Sequence, residues 1–132
     1  MTGVAKTGKY KFWEFVSQNE RLAQNHTLKE LGRALCGNED IILVGRALYT
    51  TEWVFKKLLE KVVPSFVVIH KAGGYRYEIE NARVQLMSWE GPVESLYGRA
   101  AVIFDIEELE DEARGEDAGK RLTGNAETLE GE

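Results

Sequence analysis

The 132-residue chain predicts an α/β domain of two layers, whose mixed sheet is built in the order β-α-β-α-β-β behind two N-terminal helices. Two observations carry that prediction. Short runs of β-favouring apolar residues alternate with longer stretches whose apolar residues recur at helical spacing. The length and a hydrophobic content of 43% suit one core and not two. On this pattern residues 1–40 form an N-terminal helical extension, 41–107 the α/β domain and 108–132 an acidic, disordered tail.

The elements follow in order. Phe12, Phe15, Val16 and Leu22 lie near helical spacing and predict a short amphipathic helix over residues 10–23. Thr27 and Glu30 make a capping-box pattern ahead of Leu28, Leu31 and Leu35, with Gly37 suited to end that helix in a left-handed conformation. Ile41 to Val44, closed by Gly45, reads as a buried strand. Thr50 or Thr51 can cap the next helix, where Val54, Phe55, Leu58, Leu59 and Val62 oppose Lys56, Lys57 and Lys61 before Pro64. Phe66 to His70 supplies the second strand. Tyr75, Ile79, Ala82 and Leu86 step by four, three and four, which predicts a helix over residues 75–89. Beyond Gly91 and Pro92, residues 93–96 and 100–106 read as a hairpin turning at Gly98 and Arg99.

Charge divides the chain unevenly. Residues 1–104 hold 14 Lys/Arg against 11 Asp/Glu, net +3, and residues 105–132 hold 3 against 11, net −8. A mildly basic body therefore precedes a strongly acidic C-terminal segment. The single cysteine, Cys36, cannot close an intramolecular disulfide and is expected to pack in the interior, which favours a reducing, cytoplasmic setting that includes the nucleoid. No apolar run approaches the length of a membrane span, so no membrane partner is expected.

Catalytic chemistry finds little footing. Gly73 and Gly74 follow a strand, yet neither GxGxxG nor GxxxxGK[ST] is present, and His26 and His70 form no zinc-spaced cluster with Cys36. A lone histidine at a strand end is more often a hydrogen-bonded structural residue than a general base. The sequence is read as that of a non-enzyme, with no catalytic set, no metal and no cofactor.

The basic residues are more telling. Arg46 follows the first strand and Lys71 the second, and parallel strands bring those ends to one edge. Gly73 and Gly74 leave backbone open to a ligand, Tyr75 and Tyr77 flank Arg76, and Arg99 sits at the last turn. Cations beside aromatic faces suit a phosphate backbone and exposed bases. The structural alternative stays open: Tyr75 packs in the core, the charges solvate a rim, and the glycines reverse the chain.

Over residues 41–107, IILVGRALYTTEWVFKKLL and VVIHKAGGYRYEIENARVQLM resemble the Alba family of small nucleic-acid-binding proteins. That resemblance implies a β-α-β-α-β-β fold, a homodimer buried around the second helix, and RNA or DNA as the partner. By position it implies contacts from Arg46, Lys71 and Arg76. The chain departs from the family at Ala47 and Leu48, where the family has lysine and proline, at Gly73 to Tyr75, where it has an arginine-rich loop, and in a short last hairpin. These departures favour a specialised RNA or DNA binder, or a protein-interaction subunit of a larger assembly.

Overall fold

The computed structural model describes residues 3–115, with side chains from residue 8 onward. The helices are α1 (Gly3–Ser17), α2 (Leu28–Leu35), α3 (Leu48–Val62) and α4 (106–115). The strands are β1 (Leu22–Asn25), β2 (Asp40–Gly45), β3 (Ile69–Lys71), β4 (Arg76–Ile79), β5 (Ala82–Ser88) and β6 (Ala101–Asp105). They form one six-stranded mixed sheet in the order β1-β6-β2-β5-β4-β3. The first four are mutually parallel, and β4 runs antiparallel to both β5 and β3.

Helices cover both faces, so the architecture has three layers and not two. On one face α1 lays Phe12 and Val16 over Ile42, Val44 and Ile103, joined by Trp89 and Leu96. On the other, Leu31 of α2, Phe55 and Leu58 of α3, and Leu109 and Ala113 of α4 close over Ile41, Leu43, Val84 and Phe104. The period-2 alternation of strand side chains produces this division: odd residues of β2 face one layer and even residues the other. Crossovers from β1 to β2 and from β2 to β3 move one way through α2 and α3. The return from β5 to β6 moves back over the α1 face, past a 3₁₀ turn at Glu94–Leu96, so all three share one hand.

Several sequence expectations are corrected. The helix expected over 75–89 is the β4–β5 hairpin. The residues it buries under the α3 layer are odd before the turn (Tyr77, Ile79) and even after it (Ala82, Val84, Leu86), because two turn residues, Glu80 and Asn81, shift the phase. Residues Tyr75, Ile79, Ala82 and Leu86 satisfy a helical count only by spanning that shift. The order β-α-β-α-β-β therefore becomes β-α-β-β-β-β over 41–107. No terminal hairpin forms: residues 94–96 make the 3₁₀ turn, and β6, apolar up to its last residue Asp105 and wholly buried, inserts in parallel between β1 and β2.

Residues 3–40 are no extension, since α1 packs on the sheet and β1 is an edge strand of it; Leu22 belongs to β1, and α1 stops at Ser17. Residues 108–115 belong to α4 and to the core, whereas the expectation of a disordered tail beyond them falls outside the described residues. Thr27 does cap α2, accepting from the Glu30 N–H, but that helix ends on Cys36 at φ −87 and not on a left-handed Gly37. Cys36 is exposed. Ala47 takes the N-cap position of α3 without a side-chain bond, while Thr50 and Thr51 donate back to its carbonyl. The second strand is shorter and later than expected, Ile69–Lys71, and lies exposed at the sheet edge. Among the described residues no helix is long and apolar enough to cross a membrane.

Candidate nucleic-acid interface

The carboxyl ends of β2 and β5 are where the chain leaves the sheet in opposite directions, β2 towards α3 and β5 towards the α1 face. Ligands of open α/β sheets bind at such a switch point. Arg46 stands there, exposed, its carbonyl accepting a 2.6 Å hydrogen bond from the Ser88 hydroxyl that ties the two strand ends together. The β3–β4 turn comes to the same edge, because the Leu86 N–H donates to the Tyr75 carbonyl. Gly73 and Gly74 hold φ of 104 and 56, and a Cβ on either would meet nothing within 4 Å. They therefore reverse the chain and also leave its backbone open to solvent.

From this edge the surface runs onto the half of the sheet that α1 does not cover. A shallow cleft lined by Leu48, Gly73, Gly74 and Tyr75 shares Ala72, Arg76 and Gln85 with a larger one of about 540 Å³. The larger cleft adds Asp40, Glu78, Arg83 and Arg99. Strand register explains the gathering. Arg76 lies opposite Gln85 and Arg83 opposite both Glu78 and Asp40, all pointing away from the α3 layer. Arg99 reaches in from the loop before β6, donating to Gln85 at 2.6 Å and to both Asp40 oxygens at 3.0 and 2.8 Å. Three arginines thus line one cleft with Gln85, and Arg99 bonds to it directly. Asp40 is committed to Arg99, while Arg76 and Arg83 have no ion-pair partner among the described residues.

Lys71 is placed differently. It lies opposite Tyr77 and so on the α3 side, with its ammonium 3.2 Å from Glu52 and over the rings of Tyr75 and Tyr77. Glu52 also accepts from the buried Tyr77 hydroxyl, a bond that, with help from Lys71, holds its carboxyl below the usual range despite some burial. Burial first, and then that hydrogen bond to Glu52, pushes the Tyr77 phenol up to about 12. The charge of Lys71 is therefore largely spent within the protein. Tyr75 is half-buried against the core.

The structure thus gathers Gly73, Gly74, Tyr75, Arg76 and Arg99 along one surface, sets Arg46 at its edge without lining either cleft, and turns Lys71 away. Sequence reasoning missed Arg83 and Gln85, whose alternation with Ala82, Val84 and Leu86 was the available signal, and Asp40 at the start of β2. It also missed two aromatics on α3, Tyr49 and Trp53, which are 74% and 53% exposed one turn apart. The Lys57 ammonium lies 3.6 Å over the Trp53 ring. Compared with known proteins, the chain matches no family model, no curated protein and no solved structure.

Proposed function

We propose that the protein is a non-enzymatic nucleic-acid-binding protein that holds single-stranded RNA or DNA from the carboxyl edge of its sheet across the half-face that α1 leaves open. The observation that carries this reading is the cleft in which Arg76, Arg83 and Arg99 meet beside the bare Gly73–Gly74 turn. Guanidinium groups bind phosphate oxygens bidentately, and an open glycine turn lets a backbone approach. Tyr49 and Trp53, on the helix that starts at this edge, supply faces for unstacked bases. The Alba-like reading of residues 41–107 lends support through its loop motifs alone, because the element order there is different.

Fluorescence anisotropy with single-stranded RNA, single-stranded DNA and duplex tests the proposal. Arg46→Ala and Arg76→Ala should each weaken binding and flatten the salt dependence by roughly 0.7 for every phosphate no longer neutralised. Lys71→Ala should do less, since Glu52 already engages that charge. Unchanged affinity in an Arg46→Ala/Arg76→Ala double variant would sink the proposal.

The reading as a protein-interaction subunit is favoured by a separate feature. The segment entering β3 exposes Phe66 and Val68 at 83% and 75%, and β3 itself has no strand beyond it among the described residues.

A further inference from the structure

The outer edge of β3 is an open hydrogen-bonding template of known register. The Ala72 N–H donates to the Arg76 carbonyl, so the antiparallel ladder with β4 uses Ala72 and His70 on its inner side. Alternation then turns the N–H and C=O groups of Ile69 and Lys71 outward, where no strand among the described residues meets them. Apolar side chains flank this edge. Phe66 and Val68 project from it, and Ile69 is 41% exposed beside a groove of about 370 Å³ lined by Leu59, Val63 and Pro64. The opposite edge of the sheet, β1, carries LAQN and has no such patch.

We infer that β3 pairs antiparallel with β3 of a second copy of this chain, making a twofold dimer with one continuous twelve-stranded sheet. A second copy fits because the edge complements itself. Centred on Ile69, the pairing exchanges two hydrogen bonds between the two Ile69 residues and lets each Lys71 N–H donate to the free carbonyl of Val67 in the other copy. Val67's own N–H already serves its turn, donating to Pro64. This register sets Val68 beside His70 and Val67 beside Lys71 of the other copy, so no cation faces its own kind across the axis. Shifting the centre to His70 would set the two imidazoles directly opposite each other and give up the bonds between the two Ile69 residues.

The area decides the strength. Covering Phe66, Val68, Ile69 and the groove mouth removes roughly 400–500 Å² per copy, given side chains of that size. The total of about 800–1,000 Å² lies below the size of stable specific interfaces and among weak, transient ones. The dimer is therefore weak, filling over roughly tens to hundreds of micromolar. Because the axis stands perpendicular to the sheet, the uncovered half-faces of both copies lie side by side, with the two β4 strands three strand spacings, about 14 Å, apart. Self-pairing does not depend on nucleic-acid binding, but it would double whatever surface that half-face presents.

Hydrogen exchange on the full chain tests the pairing at single-amide level. As concentration rises through the dimerisation range, the Ile69 and Lys71 amides should slow by about tenfold, while the His70 amide, already bonded to β4, stays slow throughout. Sedimentation equilibrium should show mass rising from monomer towards dimer over the same range. Ile69→Pro removes an outward N–H without touching the β4 ladder and should abolish both effects, and Val68→Lys should do the same from an exposed position. Edge amides that exchange at a concentration-independent rate would overturn the inference. So would association through another surface, seen as dimer formation undiminished in both variants.

Discussion

Removing one hydroxyl tests the network that binds α3 to the hairpin. Tyr77 is 4% exposed, its ring packs 5.1 Å from that of Phe55, and its hydroxyl donates to Glu52. Tyr77→Phe keeps the ring and deletes a hydrogen bond to a charged acceptor, a loss of roughly 1.5–3 kcal/mol. The phenol is raised to about 12 first by burial and then by the Glu52 hydrogen bond, so the shift agrees with that bond in direction and not in size. The pH dependence has two limbs of opposite sign. A raised folded value contributes stability that is whole below pH 10.0 and is lost as pH climbs through about 12. Glu52, lowered from 4.5 chiefly by the Tyr77 hydrogen bond, contributes stability that is whole above pH 4.5 and is lost as pH falls through its folded value. Urea denaturation of wild type and Tyr77→Phe at pH 7 should show the full penalty, and it should shrink at pH 3 and again near pH 11.5. A penalty under about 0.5 kcal/mol at pH 7, or one that does not change with pH, would refute the reasoning.

Two further outcomes are expected. Gly45→Ala drives a Cβ into Thr51 Oγ1 and to 2.7 Å from Ile106 Cγ2, where β2, α3 and α4 converge, so it should destabilise the fold by about 1–3 kcal/mol in thermal or chemical unfolding; unchanged stability would mean that this packing has slack. Truncation after Gly115 removes five acidic and two basic residues and leaves α4 whole, whereas a cut after Leu109 would strip Ala113 from the core. If the segment competes with nucleic acid as a tethered anion, the truncated chain should bind more tightly at low salt and lose that advantage as salt is raised; equal affinities at low salt would dismiss the competition.

Local chemistry sufficed wherever an element answers to its own residues. Thr27 and Glu30 announced the start of α2, the run Ile41 to Val44 announced β2, and the lysine face of α3 announced an amphipathic helix, since a cap, a buried run and a 3.6-residue stripe are each complete within a dozen residues. The same is true of Gly73 and Gly74, whose positive φ needs no side chain. The tertiary structure decided the rest. Four residues of LAQN become a strand only because β6 offers an edge to pair with, and β6 is central only because β1 and β2 both claim it. The β4–β5 hairpin stayed hidden because its turn shifts the alternation by one, and a window that spans the shift counts a helix. That one error concealed the candidate site, since Arg76, Arg83 and Gln85 meet only when their strands lie in register, and Arg99 joins them from a loop across the sheet. Lys71 shows the converse: sequence supplied a cation at the right edge, but whether it faces solvent or Glu52 depends on which side of a strand it occupies, and a neighbouring strand fixes that.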